Sequence, residues 1–233
     1  MRIFLYGAGK VGRALAAAIR AKKWPVVLRP ARAGLPKKRL AADLVILCVR
    51  DRDLVATAER FAASGIVPKG AACVHVAGAL GPEPLASLRA VCAGVAQMHP
   101  MISFASPRFF PTLARGQVHV SGDPVAVRRG RALAKRLGMS ARTIPRLDTI
   151  GYHASAGLVA NGAAALAAVG AELLVRSGVP RATAPLMLGP LLRSVAENVE
   201  RLGFPAALTG PVRRGDAGAV TIHIGNLIYE KNI

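Results

Sequence analysis

A glycine-rich turn near the start of the chain restricts the possible folds more than any other feature. The run GAGKVG directly follows the apolar run 3–6 and precedes an alanine-rich stretch with a helical pattern. In a strand–turn–helix unit, such glycines permit a tight turn, close approach of a pyrophosphate, and close packing of helix on sheet. The free N–H groups at the helix start favour an anion. The turn therefore predicts a dinucleotide site made by Gly7, Ala8, Gly9, Lys10, Val11 and Gly12.

Short apolar runs alternate with helical stretches up to residue 146, and only helical stretches follow. Such alternation is typical of a parallel sheet covered by helices. The sequence therefore predicts an α/β protein, with a doubly wound Rossmann domain at 1–146 and an all-helical domain at 147–233. The predicted strands are 2–6, 26–29, 44–49, 72–76, 94–98, 117–121 and 140–144. The predicted helices are 10–21, 52–64, 84–91, 124–137, 150–177, 180–202 and a last piece after Gly215.

The end of the second predicted strand indicates which dinucleotide fits. Enzymes that use NAD usually place an Asp or Glu there, which accepts hydrogen bonds from the ribose 2′-hydroxyl. This chain has Arg29, followed by Arg32, and no acidic residue between Lys10 and Ala42. Because guanidinium groups bind phosphate through paired hydrogen bonds, the sequence favours NADP(H), with solvated surface charge as the alternative. The third strand leads into Val49 and Arg50, which we expect to line the cofactor.

Two histidines fall at or just after the ends of predicted strands, where open α/β sheets assemble their sites. Of His75 and His99, the second is the predicted catalytic residue, as a general acid or a hydrogen-bonding group for substrate. The alternative for each is a packed imidazole bonded to the backbone. In the helical half, His153 and Asn161 share a helix face and are also predicted to be catalytic. Asn161 could equally bond a neighbouring helix.

The run 208–216, LTGPVRRGD, is typical of a structured loop before a helix. We expect Thr209 to orient the substrate and Arg214 to hold an anionic group on it. Asp216 completes the predicted substrate-binding set, although it is also a natural N-cap for the following helix.

The composition limits the partners of the chain. Its net charge is +20, but arginine is spread along the whole length and aromatic residues are only 4%. The sequence therefore has no cluster of basic residues interspersed with aromatic residues on which bases could stack, which argues against nucleic-acid binding. Three cysteines without metal-ligand spacing predict buried reduced thiols and no metal. The first apolar run is broken at once by the glycine turn, so we expect no secretory leader and a cytoplasmic location.

The apolar run 154–175 is long enough to cross a bilayer, yet it contains Asn161 and Glu172 and is rich in Ala and Gly. We therefore expect it to pack on another helix, including one across a homodimer, and not to enter a membrane. The last 13 residues contain neither alanine nor arginine. The helical domain is therefore expected to be shortened or altered at its C-terminal end.

Five motifs carry a resemblance to a known group of proteins: GAGKVG, HVAG at 75–78, HPMISFA at 99–105, YHASAGLVAN at 152–161, and LTGPVRRGD with His223 downstream. On these motifs the chain resembles a bacterial family that joins a Rossmann-like NADP-binding domain to a helical domain of unknown function. Wider relatives include pyrroline-5-carboxylate reductase, ketopantoate reductase, deazaflavin-dependent NADP reductases, and prephenate and arogenate dehydrogenases. The resemblance implies a dehydrogenase or reductase with its small-molecule substrate between the domains. It also implies a homodimer formed through the helical domains, and Gly78 beside the cofactor.

Two departures refine this expectation. Ala77 stands where the family has serine, which removes a hydroxyl near the nicotinamide. No lysine occurs between Lys135 and Lys231, which excludes the catalytic lysine of the related hydroxyacid dehydrogenases. The sequence thus predicts an NADP(H)-dependent oxidoreductase that acts on a small carbonyl, imine or alcohol. The alternative is a non-catalytic NADP(H)-binding sensor or scaffold.

Overall fold

Seven strands form one sheet in the computed structural model, which describes residues 1–228. The strands are β1 (Ile3–Tyr6), β2 (Val26–Arg29), β3 (Leu44–Leu47), β4 (Ala72–His75), β5 (Gly94–Met101), β6 (Gln117–Gly122) and β7 (Ser140–Arg142). Their order is β2-β1-β3-β4-β5-β6-β7, and neighbours are parallel except for the antiparallel pair β5 and β6. This confirms the predicted α/β class with a largely parallel sheet.

Seven α-helices accompany the sheet within the described residues. They are α1 (Lys10–Ala21), α2 (Leu54–Ala63), α3 (Pro124–Arg136), α4 (Thr149–Arg176), α5 (Ala184–Leu202), α6 (Gly210–Arg214) and α7 (Ala217–Ile228). Short 3-10 helices span Ala31–Ala33, Asp51–Asp53 and Glu83–Leu88. The helical elements that follow β7 confirm the predicted helical C-terminal part.

The central strands are buried on both faces, which explains why they are continuous apolar runs without polar alternation. In β1, Leu5 packs in one apolar cluster and Tyr6 in the other. The first cluster also holds Leu15 of α1 and Leu133 of α3, whereas the second holds Phe61 of α2. The helices therefore cover opposite faces of the sheet.

The strand order creates a crevice at one edge of the sheet. β2 and β3 lie on opposite sides of β1, and all three end level with one another, with Tyr6 paired to Arg29 and to Leu47. Ligands of open α/β sheets bind outside the carboxyl ends of strands where the order reverses in this way. The glycine turn after β1 and the segment after β3 both lie at this point.

Three predicted elements need correction. The expected helix 84–91 is a 3-10 helix, Glu83–Leu88, whose three-residue period places Leu85 and Leu88 together in the core. β5 continues past residue 98 because β6 pairs with it, so His99 lies inside a strand and not just after its end. The predicted loop 208–216 contains the short helix α6.

The chain divides into two compact units, residues 1–156 and 157–233, and α4 crosses the division. The domain boundary predicted at 146/147 follows the change in element pattern after β7, and it stays a prediction. Within residues 1–228, α4 is the one helix that is long and apolar enough, by length and composition, to cross a membrane. No residue of α4 is buried.

Candidate functional site

The glycine turn combines close backbone packing with one open position. Gly7 has a φ of +113°, and a Cβ atom there would overlap the carbonyl oxygen of Cys48. A Cβ at Gly12 would overlap the carbonyl oxygen of Gly7, so α1 lies against the turn only because residue 12 is glycine. At Gly9 a Cβ would meet nothing within 4 Å. The turn is therefore closely packed against backbone at Gly7 and Gly12, and it has free space beside Gly9.

The start of α1 is suited to an anion. Its N-cap is Gly9, and neither a capping side chain nor an acidic residue occupies the first turn. The first N–H groups of a helix lack intrahelical partners, and the helix dipole adds partial positive charge there. The Nε atom of Arg13 donates to the carbonyl oxygen of Ala8 (2.8 Å), which helps to fix the turn. A phosphate over Gly9 would meet free donors and no carboxylate from the first turn of α1.

A cavity of about 450 Å³ lies between the glycine turn, the segment after β3 and the first turns of α2. Three arginines contribute to its wall, namely Arg50, Arg52 and Arg60. Arg52 lies 3.8 Å from Asp53, with both side chains largely exposed. Within residues 1–228, Arg50 and Arg60 make no side-chain hydrogen bond or ion pair. The wall of this cavity therefore carries cationic groups that are available to an anionic ligand.

Arg29, predicted to hold the 2′-phosphate, mainly shapes the loop that follows it. Its Nε donates to the carbonyl oxygen of Gly34 (2.6 Å), and its Nη2 donates to that of Ala33 (2.6 Å). Neither Arg29 nor Arg32 is among the residues that line the cavity. Arg60 was missed by sequence analysis. The signal was available, because Asp53, Ala56, Thr57 and Arg60 recur at three- and four-residue spacing on one face of α2.

A second cavity, of about 600 Å³, joins the glycine turn to the histidines. Its wall contains both predicted catalytic histidines and six of the predicted cofactor-binding residues. From the glycine turn to α4, the lining residues are Gly9, Lys10, Val11, Cys48, Val49, Arg50, Asp51, Val76, Ala77, Gly78, His99, Pro100, Ile102, Phe104 and His153. All of them belong to the unit 1–156.

Four aromatic rings meet beside this second cavity. The His99 ring lies 5.3 Å from the His153 ring and 5.5 Å from the Tyr152 ring, both in edge-on geometry. The His119 ring lies 5.8 Å from Tyr152, and His119 is paired with His99 across β5 and β6. We call His99, His119, Tyr152 and His153 the histidine cluster. Sequence analysis missed His119 and Tyr152. The proximity of His119 depends on the antiparallel register of β5 and β6, and that of Tyr152 depends on the packing of α4.

His75 holds the segment that borders the cluster. Its Nε2 donates to the carbonyl oxygen of Gly81 (2.7 Å), and its Nδ1 accepts from the N–H of Ala77 (3.1 Å). Burial lowers the pKa of His75, which keeps it neutral. The side chain of Gln97 donates to the carbonyl oxygens of Ala77 (2.9 Å) and Gly78 (3.1 Å). The alternative of a backbone-bonded imidazole therefore holds for His75.

Gly78 is required by the position of His153. A Cβ at residue 78 would overlap Nδ1 of His153, so the ring contacts backbone where any other residue would place a side chain. Thr149, at the start of α4, donates through its hydroxyl to the carbonyl oxygen of Ala79 (3.0 Å). These contacts hold the first turn of α4 against the segment after β4.

His99 is held in its neutral form. The residue is 9% exposed, and its Nδ1 is enclosed without a hydrogen-bond partner among the described residues. Burial, and then the neighbouring His153, His119 and His75, lower the pKa of His99 to about 4. Burial also lowers the pKa of His119, whose Nδ1 is likewise enclosed and unpartnered within residues 1–228. The cluster thus contains two buried imidazoles that resist protonation.

The cysteines are free thiols, but two of them lie together. Burial raises the pKa of Cys48 to about 12, so this thiol beside the glycine turn stays protonated. A hydrogen bond with Cys73 lowers the pKa of Cys92 to about 7. Sequence spacing did not indicate this pair, since β4 and the segment before β5 bring it together. Within residues 1–228 no group of three or more His, Cys, Asp or Glu residues could hold a metal ion.

Comparison with known families gives a match over residues 117–233 to a domain of unknown function, DUF2520. The matched region begins at β6, covers half of the chain, and includes His119, Tyr152 and His153. The chain belongs to the DUF2520 family. The match confirms the resemblance seen in the sequence. A comparison with curated proteins finds no match.

Solved structures share the fold of this DUF2520 protein. One is a Bacteroides fragilis protein provisionally described as an NADP oxidoreductase, which is 21% identical to this chain. The alignment covers 97% of this chain and 91% of that chain, with a TM-score of 0.69. Another is the Plasmodium falciparum pyrroline carboxylate reductase with NADP bound, with 12% identity, 97% and 94% coverage, and a TM-score of 0.67. Prephenate dehydrogenase from Aquifex aeolicus is 11% identical, with 97% and 96% coverage and a TM-score of 0.51. At these identities the likeness establishes the fold.

The remaining predicted site residues of the DUF2520 protein lie in the unit 157–233. Asn161 and Arg214 are exposed, and Thr209 directly precedes α6. Asp216 has the role that was its alternative, because its Oδ1 accepts from the N–H of Ala219 (3.0 Å) and caps α7. Its carboxylate therefore caps the start of α7, and its part in substrate binding stays a prediction.

Proposed function

We propose that this DUF2520 protein is an NADP(H)-dependent oxidoreductase that acts on a small carbonyl, imine or alcohol substrate. The observation that carries the proposal is the second cavity, in which the glycine turn and two histidines line one space. Proteins with the same fold support it, because they include a pyrroline carboxylate reductase with NADP bound and a prephenate dehydrogenase. When bound, the nicotinamide supplies hydride transfer, and the protein supplies orientation and charge.

The residues present fit a dinucleotide. Gly9 leaves an open cradle that a Cβ would narrow, and the uncapped start of α1 offers free N–H donors to the pyrophosphate. Val49 and Arg50 line both cavities, and Gly78 lines the second. The cofactor-binding set is therefore proposed to be the turn 7–12 with Val49, Arg50 and Gly78.

The substrate is proposed to bind beside His99 and His153, where Pro100, Ile102 and Phe104 give the cavity an apolar wall. Such a wall favours a compact, largely apolar substrate with one polar group that the histidines recognise. Asn161, Thr209 and Arg214 stay predicted substrate-orienting residues. Asp216 stays a predicted substrate-binding residue and also caps α7.

Preference for NADP(H) is proposed to depend on α2 as well as on Arg29. Two nitrogens of Arg29 are engaged by loop carbonyls, which leaves Nη1 for a phosphate. Arg60 lies on the wall of the first cavity and has no partner within residues 1–228. Arg60→Ala is expected to weaken NADPH binding by about 10- to 100-fold, as for loss of a charge-assisted hydrogen bond, and NADH binding by less than about twofold.

Calorimetric titration of both nucleotides measures this difference. Arg20→Ala is the matched control, because it removes one exposed positive charge from α1 at a residue that does not line either cavity. Arg29→Ala is expected to weaken both nucleotides, because the loop 33–35 loses its anchor. An equal loss of NADPH and NADH affinity in Arg60→Ala would show that Arg60 does not contact the 2′-phosphate. Absence of binding by either nucleotide to the wild type would overturn the proposed function itself.

A non-catalytic NADP(H)-binding sensor or scaffold is the second candidate. Ala77 favours it, because the segment 77–78 lines the second cavity without the hydroxyl that serine supplies in the family. The two candidates agree on nucleotide binding and differ in turnover. Oxidation of NADPH with any member of a panel of small ketones, imines and aldehydes would decide for the enzyme.

We also propose that the protein forms a homodimer through its helical unit. Leu158 is 75% exposed and Leu166 is 74% exposed, and both project from one side of α4 with Val159 and Val169. Exposed apolar patches of this kind mark interfaces. The double change Leu158→Glu with Leu166→Glu is expected to convert the dimer to a monomer, because each interface would bury four new charges.

Light scattering coupled to gel filtration measures the molar mass of the protein in solution, and therefore its oligomeric state. Ala164→Glu is the matched control, since residue 164 is exposed on the opposite face of α4 and should leave the dimer intact. A wild-type protein that is monomeric, or that partitions into lipid vesicles, would contradict the proposal.

A further inference from the structure

We infer that His99 is a neutral hydrogen-bond donor that presents its Nε2–H to the substrate, and that His153 is the histidine that exchanges the proton. The inference deepens the proposed function and rests on it for the identity of the substrate. It assigns different tasks to two histidines that the sequence predicts only as catalytic residues.

The position of Nδ1 determines the tautomer of His99. A neutral imidazole carries one N–H and one acceptor nitrogen. Nδ1 of His99 is enclosed and has no partner within residues 1–228, and an unpaired buried N–H is rarer in proteins than an unpaired acceptor. The proton therefore belongs on Nε2. Because His99 lines the second cavity while its Nδ1 is enclosed, Nε2 is the nitrogen available to a ligand.

The groups around His99 oppose a positive charge on it. From β4, β6 and α4 it faces His75, His119, His153 and Tyr152, and with His99 itself the group holds four of the five histidines in the chain. Charged residues on the cavity wall are Lys10, Arg50 and Asp51. Two of the three are cations, and none of the three ion-pairs with His99 within the described residues. An imidazolium at residue 99 would lack a counterion.

The two histidines differ in access to solvent. His99 lies within β5 and is 9% exposed, whereas His153 is exposed at the first turns of α4, where Gly78 gives it room. A group that transfers protons in each turnover must be reprotonated from solvent, which is possible for His153. A neutral N–H that stays in place can stabilise a developing oxyanion without losing its own proton.

The proton balance of a carbonyl reduction follows from this division. A bound reduced dinucleotide would supply a hydride to the substrate carbon and become oxidised, and the C=O electron pair would move to oxygen. The N–H bond of protonated His153 breaks, its proton joins that oxygen to give the alcohol, and His153 becomes neutral. The Nε2–H of His99 donates a hydrogen bond to the same oxygen throughout and remains intact. Solvent then returns a proton to His153.

Nitrogen-15 NMR of histidine-labelled full-length protein tests the tautomer without any substrate. Spectra with and without NADPH are recorded from about pH 8 to about pH 5, and His99→Gln identifies the His99 signals by their loss. We expect His99 to remain neutral as the Nε2–H tautomer over this range. Titration of His99 within the range, or an Nδ1–H tautomer, would overturn the inference. Loss of nucleotide binding would instead count against the proposed function, so the two failures are distinguishable.

Kinetics with any active substrate from the panel provides the second measurement. The side-chain amide of glutamine can donate an N–H near the position of Nε2, so His99→Gln is expected to keep kcat within about tenfold of wild type, while His99→Ala loses about 100-fold. His153→Gln is expected to lower kcat by about 100-fold, because glutamine cannot transfer a proton to the substrate oxygen. Equal losses in His99→Gln and His99→Ala, with a kcat of His153→Gln close to that of wild type, would reverse the assignment.

Discussion

Gly12→Ala is expected to destabilise the α/β unit by about 3 kcal/mol, a large part of the stability of a typical domain. The added Cβ would overlap the carbonyl oxygen of Gly7, which is backbone and cannot move aside as a side chain can. Either α1 must lift from the sheet or the turn must rearrange. Urea unfolding followed by circular dichroism measures the loss as a lower midpoint with an unchanged slope.

Gly9→Ala is expected to leave the stability unchanged and to weaken NADPH binding. Its Cβ would meet nothing within 4 Å, and the backbone at Gly9 has a φ of −77°, which alanine adopts freely. Stability should therefore change by less than about 0.5 kcal/mol. The methyl group would stand where the pyrophosphate approaches, so NADPH affinity should fall by about 100-fold or more.

Gly12→Ala and Gly9→Ala together distinguish the effect of the turn on stability from its effect on NADPH binding. Gly70→Ala is a control for both variants. Gly70 also has open space around its Cβ position but lines neither cavity. It should change neither the unfolding midpoint nor NADPH affinity. Normal NADPH binding by Gly9→Ala would show that the turn is not the pyrophosphate site. Wild-type stability of Gly12→Ala would contradict the close contact between α1 and the turn.

Local sequence signals determined the part of the site around the first strand. The bounds of α1 and β2 agree with those predicted, because glycine begins the helix and a short apolar run between polar residues defines the strand. These signals depend on neighbours within a few residues, and such signals can be interpreted without the rest of the fold.

The histidine cluster could not be predicted in the same way. His99 and His119 meet because β5 and β6 pair in one antiparallel register, and a shift of one residue would place them on opposite faces. Tyr152 and His153 reach them through the docking of α4 beside Gly78. Contacts between residues far apart in sequence depend on tertiary packing, which helical or strand periodicity does not predict.

Arg29 illustrates a different limit. Its position at the end of β2 was predicted, but its hydrogen bonds to the carbonyl oxygens of Gly34 and Ala33 were not. A guanidinium group has five N–H donors, and an irregular loop offers carbonyl oxygens that need partners. An arginine beside a phosphate site can therefore shape the loop and bind the ligand at once, and sequence does not separate the two roles.

Acidification is expected to destabilise the unit 1–156, with His99 as the largest single contributor. In the unfolded chain a histidine has a pKa of about 6.5, whereas the pKa of His99 in the fold is about 4. Between these values the unfolded state binds a proton that the folded state does not. The free energy of unfolding therefore falls as the pH drops from about 6.5 towards about 4, and levels off below, with a total of about 3 kcal/mol from this residue.

His75 and His119 act in the same direction, since burial lowers the pKa of each. The carboxyl groups of Asp43 and Asp123 have lowered pKa values as well, but their stabilising contribution is lost only as the pH falls from the ordinary aspartate pKa of about 3.9 towards the lowered values. Above about pH 4.5, the loss of stability therefore reports the buried histidines. The pH range therefore distinguishes the contribution of the buried histidines from that of the salt bridges of Arg2 with Asp43 and of Arg89 with Asp123.

Urea unfolding at a series of pH values from about 7 to about 4.5 measures the effect. His99→Gln removes the titrating group but keeps a polar side chain, so its free energy of unfolding should depend on pH much less steeply than that of the wild type. His223→Gln, which changes the histidine in the unit 157–233, is the matched control and should retain the wild-type slope. A wild-type stability that is flat over this range would mean that His99 accepts a proton within the fold as easily as in water. The enclosed Nδ1 and the missing counterion would then not determine its charge.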